Sequence, residues 1–124
     1  MIEFKNLSGK RVRYGAYKKL YKKIFYKSGN SFWLSAVFAP PSLMRRLNKK
    51  YRGKNKPANV LSFLLEKNLP GRQTGTGEIF LNAKEKNLPY LFLHGSLHLL
   101  GYDHKKNKAA EKMEHLEKKI LHKK

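Results

Sequence analysis

The feature that most restricts the fold of this 124-residue chain is a spaced set of three histidines and a glycine in its last third. His94 and His98 are four residues apart, so on a helix their imidazoles lie on the same face, one turn from each other. Gly101 follows, and glycine readily adopts the left-handed conformation that ends a helix and reverses the chain. The reversal returns His104 toward the first two rings. Three imidazoles around one metal ion leave a fourth position open to water, so the pattern predicts a metal site of the catalytic type.

The same pattern differs from the metalloprotease signature at one position. In that signature a glutamate follows the first histidine and serves as the general base, whereas here the position is Gly95. Either the base comes from elsewhere in the chain, or the metal lowers the pKa of its water to about 7 and makes a carboxylate unnecessary. Gly95 therefore disfavours a peptidase. It suits a substrate such as RNA, whose ribose 2′-hydroxyl can attack the neighbouring phosphate.

Hydrophobic periodicity around this motif predicts alternating strands and helices. The predicted strands are Glu3–Leu7, Ser31–Ala39, Asn59–Leu65 and Glu78–Asn82. The predicted helices are Arg13–Lys27, Ser42–Tyr51, Leu88–Leu100 and Lys108–Leu121. Residues 66–77, which contain three glycines, are predicted to form a flexible connection or hairpin. With no internal repeat and no linker, residues 1–124 are expected to form one α+β domain in which helices flank a mixed sheet.

Charge indicates the class of partner. The chain has 28 lysines and arginines against 8 acidic residues, a formal net charge of +20, and Glu3 is the one acidic residue before residue 66. Such a surface repels itself, and binding to a polyanion relieves that repulsion. Nucleic acid is the expected partner, because each phosphate contact also releases counterions. Two alternatives stay open: a chain that is basic only for solubility, and one that binds an anionic membrane surface.

The densest basic segment is Arg45–Lys56, in which seven of twelve residues are basic. A charged run is often only a solvated face, but beside a metal centre it is typical of a groove that follows a phosphate backbone. Arg52 lies where the predicted helix meets the predicted loop Arg52–Ala58, and its guanidinium could hold a phosphate through two hydrogen bonds. The predicted RNA-binding residues are Arg45, Arg46, Lys49, Lys50, Lys54 and Lys56.

Three absences in the sequence bear on location. The chain has no cysteine, so a disulfide framework and thiolate metal ligands are excluded. It has no apolar run of about 18 residues, the length that a membrane-spanning helix needs. Its first residues lack the apolar block of a signal peptide. We therefore expect a cytoplasmic protein that does not bind through a membrane span.

Residues 94–104 carry the resemblance to a known family. Their sequence, HGSLHLLGYDH, matches the motif H-G-x-L-H-L-x-G-Y-D-H at every fixed position. Two further stretches agree in order and spacing: residues 51–63 resemble a Y-R-x-x-x-x-x-T-D-V-L-S-F segment, and Gly77-Glu78-Ile79 resembles a G-D-I strand. Over about Ser31 to Leu121 the chain resembles the YbeY family of bacterial endoribonucleases that mature ribosomal RNA.

The resemblance implies more than the residues alone do. It implies a mostly parallel four-stranded sheet, with the metal-binding helix beside it. It implies one zinc ion per chain on His94, His98 and His104, although three imidazoles suit nickel equally well. It also implies that Arg52 is needed for activity. The expected partner is ribosomal RNA of the small subunit, the expected reaction is cleavage of single-stranded RNA at the 3′ end of the 16S molecule, and the oligomeric state is left open.

The chain departs from the family pattern at several positions. Asn59 replaces the usual aspartate, Leu64 the usual proline and Glu78 the aspartate of G-D-I, and the segment before the metal helix is short, so that a helix found in the family is expected to be reduced or missing. None of these positions is a metal ligand. Two other functions remain open: a ribosome-associated RNA-binding factor with a structural metal, and a metal-dependent peptidase.

Overall fold

A computed structural model of the protein describes residues 1–25, 32–66 and 75–100. The strands are β1 (Ile2–Asn6), β2 (Phe32–Ala39), β3 (Val60–Glu66) and β4 (Gly75–Asn82). The helices are α1 (Gly15–Phe25), α2 (Pro41–Arg52) and α3 (Leu88–Leu99). The predicted helix Lys108–Leu121 and the predicted ligand His104 lie outside the described residues.

The four strands form one sheet in the order β1-β2-β4-β3. β1 pairs with β2 and β2 pairs with β4 in parallel, while β3 is antiparallel to β4 at the edge. Three helices of the described residues pack on this sheet, so the fold is α+β with a mixed sheet, as predicted, and the sheet is mostly parallel, as the family resemblance implied. The parallel pairs require crossover connections, which α1 and α2 help to supply.

Alternation along the strands divides the core into two layers. Leu34 and Ile79 belong to the larger cluster, which includes residues of α1 and α3. Phe80 and Leu61 point to the opposite face and pack with Met44 of α2 in a smaller cluster. Because neighbouring strand residues face opposite sides, α1 and α3 cover one face of the sheet and α2 covers part of the other.

Aromatic contacts tie α1 to α3 in the larger layer. The Tyr17 ring meets Phe38 edge-on at 5.1 Å and Phe92 at 5.4 Å between ring centroids. Burial disfavours the charged phenolate and raises the pKa of Tyr17 above its ordinary value. Tyr17 thus behaves as a core residue, in agreement with the prediction that the tyrosines of this helix pack inside the protein.

Helix α2 begins and ends at the residues that helix-terminus rules favour. Pro40 is extended (φ −70°, ψ 157°) and Pro41 starts the helix, where a missing amide hydrogen costs nothing. Gly53 adopts the left-handed conformation (φ 68°, ψ 16°), and its amide donates to the Lys49 carbonyl at 3.1 Å. Arg52 is therefore the last residue of the helix, one residue beyond the predicted end at Tyr51.

Strand β4 is longer than the sequence predicted. It begins at Gly75, so the prediction of a connection through residue 77 is wrong for residues 75–77. The glycines suggested a loop, but their backbones pair with β2, and Gly75 lies opposite Phe32 in the ladder. Close packing explains Gly77, because a Cβ there would lie 2.9 Å from Leu99 Cδ1 and 3.0 Å from Phe32 Cε1.

Helix α3 packs closely against β3 at Gly95. The Ser62 hydroxyl donates to the Gly95 carbonyl at 3.0 Å. A Cβ on Gly95 would lie 2.7 Å from Ser62 Oγ and 3.1 Å from Val60 Cγ2, so no side chain fits between helix and strand. Residues 83–87 join β4 to α3 without a helix, as the short segment predicted. Within the described ranges, none of the helices combines the length and apolar character needed to span a bilayer.

Two glycines in helices give opposite predictions for the same substitution. Gly95→Ala should lower the free energy of unfolding by about 1–3 kcal/mol, because the added methyl overpacks the α3–β3 contact. Gly15→Ala should leave it unchanged or raise it by up to about 1 kcal/mol, since nothing lies within 4 Å of the added carbon. Urea denaturation followed by circular dichroism measures both. Equal effects of the two substitutions would contradict the close α3–β3 contact.

A double variant tests whether the Ser62 hydroxyl is the atom that excludes a side chain at residue 95. Ser62→Ala alone should cost about 0.5–1.5 kcal/mol, because a partly buried hydrogen bond is lost. In the Gly95→Ala background the same change removes the nearest clashing atom and should raise stability. Additive effects of Ser62→Ala and Gly95→Ala in the urea experiment would be incompatible with this packing.

Candidate functional site

Helix α3 places two of the predicted metal ligands side by side. His94 Nε2 and His98 Nε2 are 3.0 Å apart, and the two rings meet edge to face with centroids 4.6 Å apart. Both side chains are partly buried, while most other residues of the helix are buried in the core. The i, i+4 spacing has therefore turned both imidazoles to the one open face of α3.

The distance between the two nitrogens agrees with binding to one metal ion. Zinc binds imidazole nitrogens at about 2.0–2.1 Å, and tetrahedral geometry then separates two ligand nitrogens by about 3.3 Å. The observed 3.0 Å between His94 Nε2 and His98 Nε2 is close to that value. In the described part of the chain, no group of three or more His, Cys, Asp or Glu residues is placed to hold a metal ion. His104, the third predicted ligand, lies outside the described residues.

An open groove of about 440 Å³ runs beside His94. One wall is α3, which contributes Tyr90, Leu91 and His94. The facing wall is the end of α2 and the segment that follows it, which contribute Asn48, Arg52, Lys54, Lys56, Pro57, Ala58, Asn59 and Val60. Among these lining residues three are basic and none is acidic, so the groove has the electrostatic character of an anion-binding site.

Two buried asparagines hold the basic segment of the groove in place. Asn48 Nδ2 donates to the Lys56 carbonyl at 2.9 Å, and Asn82 Nδ2 donates to the Ala58 carbonyl at 3.3 Å. Asn48 also accepts, through its backbone carbonyl, the amide of Lys54 at 3.3 Å. Asn48 and Asn82 are 3% and 4% exposed. The segment that carries Lys54 and Lys56 is thus fixed to both α2 and β4.

The structure separates the predicted basic residues into two groups. Arg52, Lys54 and Lys56 line the groove next to His94. The others are exposed on α2 and are not among the groove's lining residues: Arg45, Arg46, Lys49 and Lys50. Their i, i+1, i+4, i+5 spacing places them along one side of the helix. We call these four residues the α2 stripe.

Sequence reasoning missed Tyr90 and Asn48 as parts of the site. Tyr90 precedes His94 by four residues, and its ring centroid lies 6.1 Å from that of His94. The spacing Tyr90-His94-His98 was a usable signal, because it places all three rings on one helix face. No comparable signal marked Asn48, whose role depends on hydrogen bonds across a turn.

Comparison with known proteins agrees with the geometry. The protein family described as Endoribonuclease YbeY matches residues 3–124. A protein named Endoribonuclease YbeY from Buchnera aphidicola subsp. Schizaphis graminum is 36% identical over 118 residues, which cover 85% of this chain and 75% of that protein. One of the same name from Thermodesulfovibrio yellowstonii is 39% identical over 118 residues, covering 84% and 74%.

A solved structure shares the fold. The solution structure of TM1509 from Thermotoga maritima has a TM-score of 0.63 and covers 98% of this chain and 87% of its own. At 24% sequence identity, this similarity shows the fold alone. The family match, which spans nearly the whole sequence, goes further: the chain belongs to the YbeY family.

Proposed function

We propose that this protein is a metal-dependent endoribonuclease that cleaves single-stranded RNA and acts in ribosome biogenesis, at the 3′ end of the small-subunit ribosomal RNA. The observation that carries the proposal is that Arg52 and His94 line the same basic groove. Its relatives' name, Endoribonuclease YbeY, supports the reaction class. The small ribosomal subunit is the proposed partner and the cytoplasm the proposed location.

The proposed cofactor is one zinc ion held by His94, His98 and His104. The convergence of the first two imidazoles supports this choice, and nickel suits the same donors. When bound, the ion supplies a Lewis acid that stabilises negative charge on a phosphate and makes a water more acidic. The roles proposed for the other groove residues follow from their positions in the groove.

Arg52 is the proposed catalytic residue. It lies at the end of α2, and its guanidinium can hold a phosphate through two parallel hydrogen bonds and stabilise charge that develops there. Lys54 and Lys56 extend the positive wall and neutralise neighbouring phosphates. The α2 stripe is the proposed contact for RNA outside the groove, since such exposed cations attract a polyanion without reading its sequence.

The packing of Gly95 weighs against a peptidase. A metalloprotease of this histidine spacing needs a glutamate at that position, and here a Cβ would already lie 2.7 Å from Ser62 Oγ. The remaining alternative is an RNA-binding factor with a structural metal, which the exposed α2 stripe would also suit. Cleavage assays on variants of Arg52 and His98 separate that alternative from the enzyme.

Arg52→Ala and His98→Ala should both abolish most cleavage for different reasons. We expect Arg52→Ala to keep one metal ion per chain and to lose about 100- to 1000-fold in kcat, because it removes transition-state stabilisation. His98→Ala should lose both the metal and the activity. Metal analysis of the purified variants, with cleavage of an unstructured RNA, measures these effects. Full cleavage by Arg52→Ala, or wild-type preparations that bind RNA but never cut it, would refute the proposal.

Charge removal inside and outside the groove should have different kinetic effects. Lys54→Ala/Lys56→Ala should weaken binding and lower kcat/KM on short RNA, because those cations lie beside His94. Arg45→Ala/Arg46→Ala removes the same charge from the α2 stripe. This variant should weaken the binding of longer RNA only. Each lost phosphate contact should reduce the slope of log K against log salt concentration by about one. Equal losses by both variants on RNA short enough to fill only the groove would contradict this division.

A further inference from the structure

Tyr90 is an aromatic ring in a groove otherwise suited to phosphate. It is 39% exposed, it lines the groove, and it lies on the same face of α3 as His94. The two ring centroids are 6.1 Å apart and their planes are inclined by 32°. α3 is packed on the sheet along its length, so Tyr90 is held on a rigid element and not on a loop.

The surroundings of Tyr90 specify what kind of ligand its exposed surface suits. Arg52, Lys54 and Lys56 line the groove with it. These cations attract a phosphate backbone, whereas Tyr90 offers a flat uncharged ring face and one hydroxyl donor. An aromatic ring beside a basic track is the arrangement by which proteins bind unpaired nucleotides, with the base on the ring and the phosphates on the cations.

We propose that Tyr90 is a specificity-determining residue on which an unpaired RNA base stacks while an adjacent phosphate lies beside His94. This inference rests on the proposed function and names how that site selects its substrate. The 6.1 Å between the rings is short enough that the stacked base and this phosphate belong to the same or to neighbouring nucleotides.

Stacking on Tyr90 distinguishes unpaired from base-paired RNA and does not distinguish one base from another. Every base has a π-face, so any base can stack on the ring. A base inside a duplex is already stacked and paired, and it would have to leave the helix to reach Tyr90, which costs a few kcal/mol. The groove should therefore favour single-stranded RNA at the nucleotide next to the metal ligands, with little preference among the four bases.

A binding experiment tests this inference without requiring cleavage. The probe is an unstructured oligoribonucleotide of about ten nucleotides, within the usual range of single-strand sites, that carries one 2-aminopurine. Binding to the full-length protein as purified is measured by rapid mixing, so that binding is read before cleavage. Tyr90→Leu should raise Kd about 10-fold, as expected for one lost base–aromatic stack, and should abolish the quenching seen with wild-type protein. Tyr90→Phe should retain both, because it keeps the ring.

Two controls make the result specific. Trp33 is exposed to a similar degree, 43%, and does not line the groove, so Trp33→Leu should bind the probe like wild type. Tyr90→Leu should have little effect when the probe is annealed into a duplex. In cleavage assays, the substitution should raise KM for unpaired RNA more than it lowers kcat.

The outcomes separate this inference from the proposed function. If folded Tyr90→Leu binds the single-stranded probe as tightly as wild type, while Lys54→Ala/Lys56→Ala binds it weakly, stacking is refuted and RNA binding stands. If duplex binding falls as much as single-strand binding, the selectivity is refuted. If stacking is observed but no preparation cleaves RNA, the enzymatic proposal fails and the base-binding role of Tyr90 survives.

Discussion

The contact between the Gly95 carbonyl and the Ser62 hydroxyl sets how closely α3 lies to β3. With no side chain at residue 95, α3 approaches β3 closely enough for this 3.0 Å hydrogen bond to form. Because His94 precedes Gly95 directly and His98 lies three residues beyond it, the same contact sets the height of both imidazoles above the sheet. Gly95 cannot serve as the general base that the protease pattern has at this position. Its lack of a side chain instead allows the close contact between α3 and β3.

The opposite wall of the groove is positioned by polar contacts instead of apolar packing. Gly53 ends α2 in a left-handed turn, and Asn48 and Asn82 then bind the carbonyls of Lys56 and Ala58. Among the described residues Asn48 Oδ1 has no hydrogen-bond partner, which costs about 1–3 kcal/mol in a buried position. The same Asn48 side chain holds the loop that places Lys54 and Lys56 in the groove. Cations held in place in this way are preorganised for a phosphate.

Local pattern was enough to predict most elements and the placement of His94 and His98 side by side on α3, because periodicity and i, i+4 spacing are properties of neighbouring residues. It failed at residues 75–77, since the pairing of β4 with β2 outweighs the loop tendency of glycine and no local signal reports a partner strand. The sequence pattern also treated seven basic residues as one group, whereas in the structure three line the groove and four form the α2 stripe. Which of them line the groove with His94 depends on where α2 ends, whereas the four-residue spacing of Tyr90 from His94 was a local signal that the prediction overlooked.

Under the proposed function, the charge of the groove couples RNA binding to the stability of its wall. Arg52, Lys54 and Lys56 face a cavity whose described lining contains no carboxylate, in a chain of net charge +20. Without an anion their mutual repulsion is relieved only by water and salt, so the position that brings these three cations together is disfavoured electrostatically. A phosphate backbone reverses the sign of that contribution, and by linkage it stabilises the folded form that binds it. The buried amides of Asn48 and Asn82 are uncharged, so they hold the segment in place without cancelling the positive potential of the groove.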